Sequence, residues 1–166
     1  MTTQSAPRDV RAYLLDPATA ALRTITLPRD RAAHLSALYR WVGAHHLDAV
    51  SLPDDLTAFV DDEGLLSPQS AVWGVVSRPG VIYAGRAVIL GHDDDGEPAD
   101  PPAAIEAVAA LLVAFVPVIH TELVTITAAT FRDLGAPVSA TRAGLFKLSL
   151  ERRPLRVIEP PASLSP

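Results

Sequence analysis

The sequence predicts an α+β fold in which an antiparallel or mixed β-sheet carries two main helices, at about 31–42 and 103–115. Short β-branched or alternating runs between turn residues predict the strands, one segment has helical apolar periodicity, and another is apolar nearly all round. The 166 residues, 49% of them hydrophobic, are enough to bury the core of one domain with an extension. The chain has no cysteine, which excludes disulfides, thiol catalysis and cysteine-ligated metals.

The chain opens with a predicted β-hairpin. Residues 10–16 have the composition of a strand, and residues 22–27 alternate strictly between two faces. Between them, Asp16, Pro17 and Thr19 are typical of a turn. The loop of about five residues favours an antiparallel pair of strands.

The helix at 31–42 is the clearest element of the sequence. Asp30 can accept a hydrogen bond from the first turn as an N-cap. Gly43 can end the helix in a left-handed conformation without a Cβ penalty. Apolar side chains recur at helical spacing and predict one buried stripe, formed by Leu35, Leu38, Tyr39 and Val42.

Further strands follow from short apolar or β-branched runs, at 47–52, 56–60, 71–77, 86–90 and 118–128. The run at 86–90 is nearly all apolar, so we expect a central strand that is covered on both faces. Segments 143–150 and 156–158 are expected to pair as a last hairpin across residues 152–154.

Composition divides the chain into five predicted segments. The boundary at 92–102 rests on the sharpest change, to an acidic, proline-rich loop with no large apolar residue. The segments are a tail at 1–9, a core at 10–91, this loop at 92–102, a helix-plus-strands extension packed on the core at 103–158, and a second tail at 159–166.

The net charge of −5 is concentrated in the middle of the chain, where residues 48–106 carry twelve acidic residues against two arginines. Such a segment repels nucleic acid and attracts cations or basic proteins. No phosphate-binding glycine loop, serine nucleophile motif or helical histidine pair is present. The sequence therefore predicts no catalytic residue and no cofactor, and favours a protein without enzymatic activity.

Two acidic turns are the candidate interaction surface for a basic protein partner. They contribute Asp61, Asp62, Glu63, Asp93, Asp94, Asp95 and Glu97. Two other hypotheses use the same acids. In one, the protein is a divalent-metal-dependent enzyme, with Asp93 and Asp95 as weak candidate ligands. In the other, it is an acidic mimic of DNA.

The location and assembly of the protein are predicted from apolar segments. The N-terminal residues lack the apolar stretch of a signal peptide, and the longest apolar run, 107–119, is too short for a bilayer, which needs about 20 residues. We therefore expect a cytoplasmic protein. The apolar helix at 103–115 could serve a homodimer as well as a monomer core.

Four short motifs stand in order along the first part of the chain: Y-L-L-D-P at 13–17, L-S-A-L-Y-R-W-V-G at 35–43, F-V-D-D-E-G-L-L at 59–66 and G-R-A-V-I-L-G-H-D-D-D-G at 85–96. Their order resembles an uncharacterised domain-of-unknown-function family of small bacterial, phage and plasmid proteins, over residues of about 10–100. The resemblance implies a small accessory protein, often of mobile elements. It implies no catalytic residues.

Overall fold

A computed structural model describes residues 9–66, 71–126 and 141–158 of the chain. The predicted tails at 1–9 and 159–166 lie outside these ranges, apart from Asp9. Within them the chain forms two helices, α1 (Arg31–Val42) and α2 (Ile105–Leu111). The strands are β1 (Val10–Asp16), β2 (Ala21–Leu27), β3 (Leu47–Ser51), β4 (Leu56–Asp61), β5 (Val72–Val75), β6 (Ile82–Ala84), β7 (Ala87–His92), β8 (Pro98–Ala99), β9 (Leu112–Ile126), β10 (Thr141–Pro154) and β11 (Arg156–Ile158).

The strands form two sheets, which confirms the predicted α+β class with a mixed sheet. The larger sheet has the order β11-β2-β1-β7-β4-β3, with β8 also paired to β7. Its neighbours from β2 to β3 are antiparallel, whereas β11 runs parallel to β2. The smaller sheet has the order β10-β9-β5-β6.

The predicted last hairpin, of segments 143–150 and 156–158, is wrong. Strand β10 continues through Pro154 and pairs with β9, whereas β11 pairs with β2. Only Leu155 separates β10 from β11, and a β-hairpin needs a connection of at least about two residues. The chain passes instead to the edge of the larger sheet, where the backbone N–H of Arg156 donates to the carbonyl of Ala20 at 2.8 Å.

Strand β7 is the buried centre of the larger sheet, as its apolar sequence predicts. Its alternate side chains enter two hydrophobic clusters, with Ala87 and Ile89 on one face and Val88 and Leu90 on the other. All four residues have no exposed surface. The first cluster also holds residues of α2 and β5, and the second holds residues of α1. The sheet is therefore covered on both faces.

Helix α1 begins and ends where the sequence predicts. Asp30 Oδ1 accepts a hydrogen bond from the N–H of Ala33 at 3.0 Å. Gly43 has a φ of 79° and donates its N–H to the carbonyl of Tyr39, which closes the last turn. This left-handed end is the conformation that favours glycine.

The buried stripe of α1 includes Leu38 and Val42, as predicted, but not Leu35 and Tyr39. Leu35 is 50% exposed and Tyr39 is 36% exposed, so these two members of the prediction do not lie in the core. The small Ala37 faces the sheet instead. His34 is also buried, and its Nδ1 donates to the carbonyl of Pro28 at 2.9 Å.

Helix α2 is shorter than the predicted 103–115 and is buried on one side, through Val108. Residues 112–115 belong to β9 and pair with β5. Sheet pairing suits the apolar and β-branched side chains of this stretch and overrides its helical appearance. No helix in the described ranges has the length and apolar character needed to cross a membrane.

The acidic loop at 92–102 contains a tight hairpin on the larger sheet. Strand β8 pairs with the end of β7, and the N–H of Asp93 donates to the carbonyl of Glu97 at 3.0 Å. The chain then remains close to β1, where the hydroxyl of Tyr13 donates to the carbonyl of Ala103 at 2.9 Å.

The chain divides into two compact units at Val116 and again at Glu151. We call the unit that holds both helices the body, and residues 117–151 the arm. In the described part of the arm, β9 and β10 share a hydrogen bond of 2.7 Å between His120 Nε2 and Ser149 Oγ. Ile119, Leu123 and Leu150 are 68%, 76% and 54% exposed, so these arm residues gain little hydrophobic stabilisation from folding.

We expect Gly91→Ala to lower the free energy of unfolding by about 1–3 kcal/mol, because its Cβ would overpack a rigid site. A Cβ at Gly91 would lie 2.7 Å from the carbonyl oxygen of Asp100 and 3.0 Å from Cδ of Pro102. Denaturant unfolding of the whole chain measures the change. The exposed Asp94→Ala is the control, expected within about 0.5 kcal/mol of wild type. Equal stability of Gly91→Ala and wild type would contradict the close packing.

We expect Tyr13→Phe to lower the free energy of unfolding at neutral pH by about 1 kcal/mol, through loss of the hydrogen bond to Ala103. Burial raises the pKa of the Tyr13 hydroxyl, and the acidic Glu106 and Asp100 add to this effect against the opposing Arg11. The folded protein therefore favours the neutral phenol, and this part of its stability is lost as the pH rises above about 10.

The alkaline loss of stability should consequently be smaller in Tyr13→Phe than in wild type. Urea unfolding of both proteins between pH 8 and 11 tests this difference, and the other tyrosines provide a common background. Identical pH profiles would show that the Tyr13 phenol is not linked to stability.

Candidate functional site

The structure separates the two acidic turns that the sequence predicts as one interaction surface. Strands β4 and β7 are antiparallel, with Leu56 opposite Gly91 and Phe59 opposite Val88. The turn at 93–97 therefore lies where β4 begins, and the turn at 61–63 lies where β4 ends. Five residues of extended strand span about 17 Å, so a small ligand cannot contact both turns.

The turn at 93–97 instead has the turn between β3 and β4 as its neighbour. His92 Nδ1 and Thr57 Oγ1 lie 3.4 Å apart and connect the bases of the two turns. We call this part of the body the acidic end. It presents six exposed carboxylates, those of Asp54, Asp55, Asp93, Asp94, Asp95 and Glu97.

Backbone geometry fixes both turns of the acidic end. Asp54 and Asp55 have φ values of 60° and 54°, a left-handed conformation that Asp tolerates better than most residues. Asp93 Oδ1 accepts hydrogen bonds from the N–H groups of Asp95 and Glu97, at 3.1 and 2.9 Å. Asp93 thus holds its own turn, while the other carboxylates face solvent.

The acidic end carries uncompensated negative charge. Within the described ranges, Arg11 pairs with Asp100 and His46 lies beside Glu63, and neither contact includes a carboxylate of the acidic end. In the same part of the chain, no three His, Cys, Asp or Glu residues are arranged to hold a metal ion. Asp93 and Asp95, the weak metal candidates, are joined by the hydrogen bond within their turn.

The opposite turn, at 61–63, is engaged in local contacts. Asp61 Oδ1 accepts the N–H of Glu63 at 3.1 Å. The Glu63 carboxylate lies 3.4 Å from His46 Nδ1, and the N–H of Asp62 donates to the carbonyl of His46 at 3.1 Å. Of the three acids predicted here, Asp62 and Glu63 remain exposed, whereas Asp61 is half-buried.

Asp61 lines a polar pocket of about 350 Å³ that the sequence analysis did not anticipate. All four family-like motifs reach this pocket, each through residues at or near a turn or a helix end. We call it the Arg86 pocket. Its lining is Asp16, Pro17, Ala18, Val42, Gly43, Asp61, Ala71, Gly85 and Arg86.

The guanidinium of Arg86 lies beside the C-terminal end of α1. A Cβ built on Gly43 would come within 2.9 Å of Arg86 Nη2, so the absence of a side chain at residue 43 makes room for the cation. A cation is favoured there, because the last carbonyls of a helix carry partial negative charge. Among the described residues, Arg86 makes no hydrogen bond or ion pair.

Two carboxylates complete the charged groups of the pocket. Asp16 Oδ1 accepts the N–H groups of Ala18 and Thr19, at 3.0 and 3.4 Å, as Asp61 Oδ1 accepts that of Glu63. Each Asp therefore uses one oxygen to shape its turn. In the described part of the chain, the Oδ2 atoms of Asp16 and Asp61 make no hydrogen bond.

A signal for this pocket was present in the sequence. Each motif combines an apolar run with a polar or glycine residue near a turn, for example Asp16, Gly43 and Asp61. The runs predict strands and a helix, but only strand order and register place these residues at the same end of the sheet. Arg86 was therefore not among the residues predicted from the sequence.

Comparison with known proteins assigns the family. No curated protein and no solved structure matches the chain. A family model described as a domain of unknown function, DUF3846, matches residues 10–112. The match extends from the first residue of β1 to the first residue of β9, and includes every residue that lines the Arg86 pocket. The chain therefore belongs to the DUF3846 family of domains of unknown function.

Proposed function

We propose that this chain is a non-enzymatic protein-interaction module whose acidic end binds a basic surface of another protein. The observation that carries the proposal is the clustering of six exposed carboxylates on two neighbouring turns, without an ion-pair partner among the described residues. In this proposal the chain is a cytoplasmic accessory protein, and the bacterial and mobile-element association implied by its motifs belongs to the same proposal.

Electrostatics favours a basic protein as the partner. Like charges held close together on a fixed backbone create a negative potential that attracts a positive surface and accelerates encounter. The same potential repels the phosphates of nucleic acid. Because all six side chains are exposed, each ion pair formed with a partner contributes only about 0.2–1 kcal/mol. Affinity therefore depends on several carboxylates together.

The proposal revises the surface that the sequence predicts. Asp93, Asp94, Asp95 and Glu97 remain in it, and Asp54 and Asp55 join them. Asp62 and Glu63 lie at the other end of β4, too distant to contact the same small patch of a partner. Asp61 faces the Arg86 pocket. Substitutions at the two ends of β4 can therefore remove the same number of charges at different positions.

We expect the triple variant Asp54→Asn/Asp55→Asn/Asp94→Asn to bind a fluorescent, arginine-rich peptide about tenfold more weakly than wild type in low salt. Three lost exposed charge pairs correspond to about 1–2 kcal/mol. Asn tolerates the left-handed conformation as Asp does, so both turns should be preserved. Fluorescence anisotropy measures Kd, and raising the salt to 0.15 M or above should reduce the difference by screening.

The matched control is Asp48→Asn/Asp62→Asn/Glu63→Gln, which removes three exposed charges away from the acidic end. It should weaken binding by less than about threefold. An equal loss in both triple variants would show that net charge alone attracts the peptide, and would contradict a localised surface. No loss in the acidic-end variant would also reject the proposal. Thermal unfolding of both variants verifies that they are folded.

A further inference from the structure

The Arg86 pocket contains a set of charged side chains that suits a small ligand with complementary charges. It combines the Arg86 guanidinium with the carboxylates of Asp16 and Asp61. The volume of about 350 Å³ is at the lower end of the range for small-molecule sites, about 300–1,000 Å³. All its lining residues belong to the body.

Each charged group has hydrogen-bonding capacity left for a ligand. Arg86 makes no hydrogen bond or ion pair in the described ranges, and its guanidinium lies beside Gly43. Asp16 and Asp61 are held by their turns through Oδ1 and have Oδ2 available. The two carboxylates are therefore oriented before any ligand arrives, which lowers the entropic cost of binding.

We propose that this pocket binds a free cationic amino acid, of the lysine or arginine type. Its carboxylate accepts hydrogen bonds from the Arg86 guanidinium, an arrangement that guanidinium geometry favours. Its ammonium and side-chain cation are bound by Asp16 and Asp61. The ligand and the pocket then have opposite net charges, and each charge removed from water gains a partner.

Two other ligand classes fit the pocket less well. A phosphate group would be attracted by Arg86 but repelled by two carboxylates, and it has no cationic group to pair with them. A divalent cation would lie beside a guanidinium, and Asp16 and Asp61 give it only two carboxylates. Only a ligand that carries both an anionic and a cationic group complements every charged side chain here.

Isothermal titration of the full chain tests the proposal, with L-lysine and L-arginine as probes. Cadaverine, which lacks the carboxylate, and inorganic phosphate are the comparison probes. We expect at least one of the two amino acids to bind with a Kd below about 1 mM, at least tenfold more tightly than cadaverine. Phosphate should not bind. Amide signals of Gly43 and Gly85 in a ¹⁵N-labelled sample should shift with the same Kd.

Arg86→Gln should weaken binding of the amino acid at least tenfold and leave cadaverine binding unchanged, because only the carboxylate contact is lost. Asp61→Asn keeps the oxygen that shapes the turn and should weaken binding of both probes. Arg31→Gln, on the exposed first turn of α1, is the matched control and should bind as wild type does. Arg86→Lys provides a second variant if Arg86→Gln does not fold.

The proposal is overturned if neither amino acid binds wild type with a Kd below about 1 mM. It is also overturned if cadaverine or phosphate binds as tightly as the amino acids, or if Arg86→Gln and Arg86→Lys both retain full affinity. These outcomes leave the acidic end untouched, because none of its six carboxylates lines the pocket. Conversely, failure of the peptide experiment has no consequence for the amino-acid titration.

Discussion

The structure depends on burial of β7 on both faces. Its alternating side chains, such as Val88 and Ile89, enter opposite clusters, so each face of the sheet needs its own cover. Helix α1 covers one face, and α2 with β5 contributes to the other. Because β7 has no solvent-facing side, a shift of its register by one residue would move the side chains of each face into the opposite cluster. The register of β7 against β1 and β4 is therefore the constraint that positions the turns at both ends of the sheet.

Those turns carry the charged residues of the acidic end and of the Arg86 pocket. At one end of β4 and β7, tight hairpins expose carboxylates to water. At the other end, turns and the last turn of α1 surround Arg86 and partly bury the neighbouring acids. The same residue type thus has different environments along a single strand pair. Asp94 faces solvent, whereas Asp61 faces a guanidinium pocket. The environment of an acidic residue in this domain therefore depends on the strand end at which it lies, and not on the charge of the sequence segment that contains it.

Local signals in the sequence predict local structure well. Asp30 and Gly43 correctly mark the two ends of α1, because capping depends on nearby backbone atoms alone. Predictions that depend on partners distant in sequence were less accurate. Residues 112–115 look helical but pair with β5, and β11 crosses to β2 instead of folding back on β10. The Arg86 pocket is a product of register, so turns considered singly could not reveal it. The acidic turns at 61–63 and 93–97 are predicted as one surface, whereas strand register places them at opposite ends of β4.

Strand β11 has a consequence for how the limits of this domain are understood. The segment that defines the family ends at residue 112, yet β2 is paired on its outer side by residues 156–158. The family segment is therefore shorter than the folded body, which also includes residues 113–116 of β9 and residues 152–158 after the arm. A protein cut at the family limit would present the edge of β2 to solvent, and an unpaired edge favours association between sheets. In this chain β11, which follows the arm, completes the edge of the larger sheet, and the family segment alone does not.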